Sequence, residues 1–189
     1  MKILRPWRKI EVPVNSPLYF LAGPGMGGGD WQRQACELIL KHDPQSYVAV
    51  PCRYAEEHPL RDYFYEDETD AYLGQTHWER HYLERSASLQ DNLPGCIIFW
   101  LACESKSMSR KDGKPYALQT YGELGEWRGR LINQTGKKKL ALGIEPGFPG
   151  TESIVKNFEL AFKVNNLGDF PIYSTLEDTV RYAVYVARS

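Results

Sequence analysis

The sequence predicts an α/β protein, a three-layer α/β/α sandwich built on a parallel sheet, and three observations predict it. Short apolar runs rich in β-branched and aromatic residues alternate along the chain with segments of helical period, the pattern of strands joined by crossover helices. The runs are apolar at every position instead of every second one, which suits strands covered on both faces. A length of 189 residues fits one domain whose core needs neither disulfides nor metals, so residues 1–189 read as a single domain.

In chain order, the first strand is 18–22 (LYFLA) and the second 47–51 (YVAVP). The third, 96–102 (CIIFWLA), is followed by 139–144 (KLALGI) and by a weaker strand around 170–173. Asp30 stands where a helix N-cap belongs, with Trp31, Ala35, Leu38 and Ile39 on one stripe behind it and Pro44 beyond its end. A second helix is predicted over 76–89, and a third over 121–134, where Leu124, Trp127 and Leu131 share a face and Gly136 follows. Thr151 begins a fourth helix and Thr175 a fifth, in which Leu176, Val180 and Val184 recur at helical spacing. Right-handed crossovers among these five strands give a doubly wound, flavodoxin-like sheet whose ligands bind outside the carboxyl ends of the strands. Two stretches, 52–75 and 103–119, are longer than such connections need, and long loops at that edge are commonly functional.

Lys and Arg number 23 against 24 Asp and Glu, a formal charge of −1, so the chain lacks the basic field that grips a nucleic acid polymer or an anionic membrane. No apolar run reaches the roughly 18–20 residues that span a bilayer, and the charged residues 1–8 have no apolar segment behind them; the expectation is a cytoplasmic protein. Cys36, Cys52, Cys96 and Cys103 form no CxxC pair. His77 and His81 have the i,i+4 spacing of metal ligands but lack the HExxH pattern and a third partner, so no zinc site is expected.

Three features converge on the carboxyl edge. The first strand runs into Gly23-Pro24-Gly25-Met26-Gly27-Gly28-Gly29-Asp30, a turn that lets backbone approach a ligand beside a helix N-terminus; it is not a Walker A sequence, and its alternative reading is a flexible turn. Thr120 and Glu123 have the T-x-x-E spacing of a capping box, although a glutamate in the first turn of a helix is also held ionised, as a glycosyl nucleophile must be. His77-Trp78-Glu79 opens the second helix and offers another carboxylate, either solvated or turned toward the strand ends; two carboxylates in different environments can divide nucleophile and proton donor between them.

In this order the residues resemble the nucleoside 2-deoxyribosyltransferases, in particular their nucleoside 2-deoxyribosyltransferase-like branch. The resemblance lies in Leu18 to Pro24 (LYFLAGP), Trp78-Glu79, Phe99-Trp100 at the end of the third strand, and the T-x-x-E-x-G-x-W of Thr120 to Trp127. It implies that Glu123 attacks C1′ of the sugar, that the Tyr19 hydroxyl positions that carboxylate, and that Glu79 assists departure of the base by protonation. Gly23, Pro24, Gly25 and Met26, with Thr120 and Gly122, would bind substrate, and Trp78, Trp100 or Tyr121 would stack on the base. The implied reaction cleaves the N-glycosidic bond of a 2′-deoxynucleoside and passes the deoxyribosyl group to another nucleobase with retention, without metal or cofactor. Its partners would be nucleosides or nucleotides, free nucleobases and further copies of the chain, as a dimer or larger assembly. Two departures from the family pattern keep alternatives open. The segment between Glu79 and the third strand is longer than in the family, and Ala117 replaces the polar residue that contacts the 5′ end of the sugar. The loop bearing Lys106, Ser107, Ser109 and Arg110 would serve a 5′-phosphate or simply be solvated, so a nucleoside 5′-monophosphate N-glycosidase and a nucleotide-binding module without turnover stand beside the transferase.

Overall fold

The structure is a computed structural model and describes residues 1–6, 8–52, 59–65, 71–72, 74–87, 93–133 and 138–189. Its main sheet holds six parallel strands: β1 (Lys2–Leu4), β3 (Leu18–Ala22), β4 (Tyr47–Ala49), β6 (Gly95–Leu101), β7 (Leu140–Ile144) and β8 (Ile172–Tyr173), in the spatial order β1-β4-β3-β6-β7-β8. Without β1 this is the flavodoxin-like order. β1 adds a sixth strand to the five expected, pairing Lys2, Ile3 and Leu4 with Tyr47, Val48 and Ala49. The sequence hid it because it is a three-residue strand in a charged segment, yet Ile3 and Leu4 are fully buried. A separate antiparallel pair joins β2 (Arg8–Lys9) to β5 (Ala71–Tyr72).

Five helices cover the sheet: α1 (Trp31–His42), α2 (Gln75–Ala87), α3 (Leu118–Ile132), α4 (Thr151–Val164) and α5 (Leu176–Arg188). Strand alternation divides the core into two layers. Leu18, Phe20 and Ala22 of β3, Ile97, Phe99 and Leu101 of β6, and Leu140, Leu142 and Ile144 of β7 pack with α2, α3 and α4. The intervening Tyr19, Leu21, Cys96, Ile98, Trp100 and Ala141 pack with α1 and α5. Both sets are buried, which is why the runs are apolar throughout. The chain moves from β3 to β4 through α1, then returns across β3 to β6 through α2, so its direction reverses between β3 and β6 and opens a crevice at their carboxyl ends.

The helix ends refine the sequence reading. Thr175 caps α5 as its position predicts, accepting from the Asp178 amide at 3.1 Å. Asp30 stands at the α1 cap position but makes no capping bond; its carboxylate accepts from Arg33 Nε. α3 starts three residues earlier than expected, because Ala117 takes a left-handed conformation (φ 56°) and accepts from the Tyr121 amide at 3.0 Å. The part of the second predicted helix beyond residue 87, and much of the 52–75 stretch, lie outside the described residues. Cys36, Cys96 and Cys103 are free thiols. Among the described residues no helix is long and apolar enough to cross a membrane, and no group of three or more His, Cys, Asp or Glu is arranged to hold a metal.

Candidate active site

A cavity of about 560 Å³ occupies the crevice at the carboxyl ends of the strands, the size of a small-ligand site. Its walls come from five segments: the end of β3 with Gly23, Pro24, Gly25 and Met26; Gln32 of α1; Pro51 and Cys52 after β4; Gln75, Thr76 and Glu79 of α2; and Arg110, Ala117, Leu118, Gln119, Thr120 and Glu123 before and within α3.

The glycine-rich turn is held in place on three sides. Trp31 Nε1 donates to the Pro24 carbonyl at 2.9 Å, and the Ser105 amide donates to the Gly27 carbonyl at 2.7 Å, tying the turn to the loop after β6. Gly23 has a φ of 152°, and a Cβ built there would lie 2.3 Å from the Trp100 carbonyl oxygen and 2.8 Å from Trp31 Cζ2. Only glycine fits this position at the cavity wall.

Glu79 and Glu123 come to this cavity from different helices. Gln75, one turn earlier on α2, donates through Nε2 to Glu79 Oε1 at 2.9 Å and orients that carboxylate. Glu123 is half-buried, and burial, reinforced by the negative charge of Glu79, pushes its carboxyl up from 4.5 to about 7; the nearby Arg80 guanidinium opposes the shift. Arg80 is itself committed to a two-point ion pair with Glu126, with 3.2 Å between Nη2 and Oε2, and Arg130 adds a contact to Glu126 at 2.8 Å. This network laces α2 to α3 and fixes the two helices that carry the carboxylates.

The earlier start of α3 corrects the capping-box reading. Thr120 lies inside the first turn, 4% exposed and lining the cavity, and Glu123 falls in the second turn, beyond the reach of the unpaired amides. Glu123 therefore lacks the helix-end stabilisation expected of it, and desolvation governs its charge instead.

Gly23, Pro24, Gly25, Met26 and Thr120 line the cavity as the sequence suggests. Five other residues do not. Tyr19 belongs to the α1/α5 face of β3, opposite the layer containing α3; its buried hydroxyl donates to Asp43 Oδ2 at 2.7 Å, and Asp43 is paired with Arg188 at the end of α5. It does not position Glu123. Trp100 faces the same α1/α5 layer, by the alternation of β6, and is 6% exposed. Trp78 is fully buried between Phe20 and Tyr82, with ring centroids at 6.2 and 4.9 Å. Both tryptophans are core residues, unavailable for stacking on a base. Gly122 is an exposed helix residue with open space around its α-carbon and does not border the cavity. Tyr121 packs on Phe148 and donates to the Pro149 carbonyl at 2.7 Å, also away from the cavity.

Of the basic loop residues, Arg110 alone reaches the cavity among the described residues, with Asp112 bonded to its guanidinium through both oxygens. Sequence reasoning missed Gln32, Gln75 and Thr76. For Gln32 a signal was present, since it is a polar residue directly beside Trp31 on the apolar stripe of α1 and directly after the glycine-rich turn. No family model, curated protein or solved structure matches this chain.

Proposed function

We propose that the protein cleaves the N-glycosidic bond of 2′-deoxynucleosides and transfers the deoxyribosyl group to another nucleobase through an ester on Glu123. The observation that carries this reading is the pairing of Glu79 and Glu123 in one small-ligand cavity, where one carboxylate is desolvated under the influence of the other. The resemblance of Leu18 to Pro24 and of Thr120 to Trp127 to nucleoside 2-deoxyribosyltransferases supports it from the sequence side.

In the first step a Glu123 carboxylate oxygen bonds to C1′ as the C1′–N bond breaks; the electron pair of that bond goes to the base nitrogen, which is protonated through Glu79. In the second, the nitrogen of an incoming base attacks C1′, gives its proton back through Glu79 and releases the Glu123 carboxylate. Two inversions leave the anomeric configuration retained. Desolvation makes the ionised Glu123 poorly stabilised before reaction, and forming the ester removes that buried charge. Tyr19 takes no part.

Arg110 at the cavity favours a second reading, in which the substrate is a nucleoside 5′-monophosphate and water is the acceptor. The test is a panel of deoxynucleosides and their monophosphates, with and without a free acceptor base, followed by chromatography. Exchange that requires the acceptor supports the transferase, and base release without it, faster on monophosphates, supports the hydrolase. Glu123→Ala should be inactive in either case; turnover unchanged by that substitution, or silence across the panel, overturns both.

A further inference from the structure

We infer that Gln32 is the residue that selects the nucleobase, by accepting a hydrogen bond from an N–H group on the edge of the ring. This rests on the reading that the cavity takes a nucleoside. Gln32 is the second residue of α1, lines the cavity and is 4% exposed. Its Oε1 is buried, and no hydrogen-bond donor reaches it among the described residues. Most buried polar side-chain atoms are satisfied, and a carbonyl oxygen left without a donor costs far more than a made bond gains.

The other three buried side-chain atoms without a partner lie elsewhere: His42 Nε2, Ser86 Oγ and Trp127 Nε1 belong to residues that do not border the cavity. Gln32 therefore differs from them in having a ligand-sized space beside it. It is also rigidly placed. Trp31, its neighbour, is anchored to the Pro24 carbonyl, and the turn that precedes α1 is pinned through Gly27 to Ser105. Gln32 borders the cavity from α1, whereas Glu79 and Glu123 border it from α2 and α3. A fixed amide acceptor that goes unsatisfied when the ligand lacks the matching donor discriminates more sharply than an apolar pocket does. The substrate class this selects is nucleosides whose base carries an amino or lactam N–H, over those with only ring nitrogens and C–H on that edge.

The test uses two pairs of substrates, each differing by one exocyclic amino group: 2′-deoxyadenosine with purine 2′-deoxyriboside, and 2′-deoxycytidine with 2-pyrimidinone 2′-deoxyriboside. kcat/KM and equilibrium binding of all four are measured on the parent and on Gln32→Met, which keeps the side-chain length and removes the acceptor. In the parent at least one pair should favour the amino compound by roughly tenfold or more, and that preference should collapse to about unity in Gln32→Met. Thermal unfolding of the ligand-free variant should be unchanged or raised, since no bond within the protein is lost; a strongly lowered midpoint would show that Gln32 serves the fold instead and would overturn the inference. A preference of equal size in parent and variant, or no preference in the parent, overturns it while leaving the glycosidic reading intact. Absence of both turnover and binding for all four compounds overturns the glycosidic reading, and this one with it.

Discussion

In the proposed reaction Glu123 is the nucleophile, and its environment would set the pH at which it could act. As a nucleophile it must be ionised, yet burial and the charge of Glu79 hold its carboxyl at about 7. With a substrate whose base leaves without protonation, the free protein should therefore gain kcat/KM as pH rises through about 7 and lose it below. In Glu79→Gln the raising influence of the Glu79 charge is gone, so the acidic limb should move to lower pH even as kcat falls for bases that need protonation to leave. A limb that stays in place, measured with a substrate whose base leaves without assistance, would show that the two carboxylates do not interact. Tyr19 gives the opposite case. Its hydroxyl belongs to a cluster of buried Tyr19 and Asp43 with the exposed Arg188 that joins β3, the end of α1 and the end of α5. Tyr19→Phe should lower stability by about 1–2 kcal/mol in denaturant unfolding and leave the turnover number near that of the parent. A large loss of turnover with unchanged stability would return Tyr19 to the catalytic role that the resemblance implies.

At the scale of elements, what positions the site is the way β3 ends and α3 begins. Gly23→Ala forces a Cβ into the Trp100 carbonyl at a backbone conformation that side chains rarely adopt. The substitution should cost several kcal/mol of stability or displace the turn from the cavity wall, and the unfolding midpoint together with KM will tell which. α3 shows where the sequence is ambiguous. T-x-x-E marks a helix start in most chains, but here a left-handed Ala117 starts the helix earlier and carries Thr120 into the buried first turn. Local spacing cannot reveal that, because Ala117 has none of the usual features of a cap. The strands were legible for a simple reason: β3, β6 and β7 are covered on both faces and so are apolar at every position. The same property concealed which residue faces which layer. An alternating strand announces its faces, whereas LYFLA gives no sign that Tyr19 and Phe20 go to opposite sides.

For the whole molecule, a doubly wound sheet brings segments distant in sequence to one crevice, and the cavity is assembled from residues 20 to 123. The fold class followed from the alternation of elements, and the edge at which a ligand would bind followed from the fold class. The membership of the site followed only in part. Glu79, Glu123 and the Gly23 to Met26 turn were identifiable as residue types suited to the chemistry, whereas Trp78 and Trp100 were misread because an aromatic suits a core and a base equally well. Gln75 and Thr76 reach the cavity through three-dimensional placement alone, whereas Gln32 had a sequence signal in its position beside Trp31 and after the glycine-rich turn. The central claim, that Glu123 becomes covalently glycosylated, is tested most directly by acid-quenching the protein during turnover of a deoxynucleoside and sequencing its peptides by mass spectrometry. The account predicts one deoxyribosyl group on the peptide containing Glu123, discharged on adding an acceptor base and absent in Glu123→Gln. Base release by the parent with no such adduct, or an adduct that persists in Glu123→Gln, would contradict it.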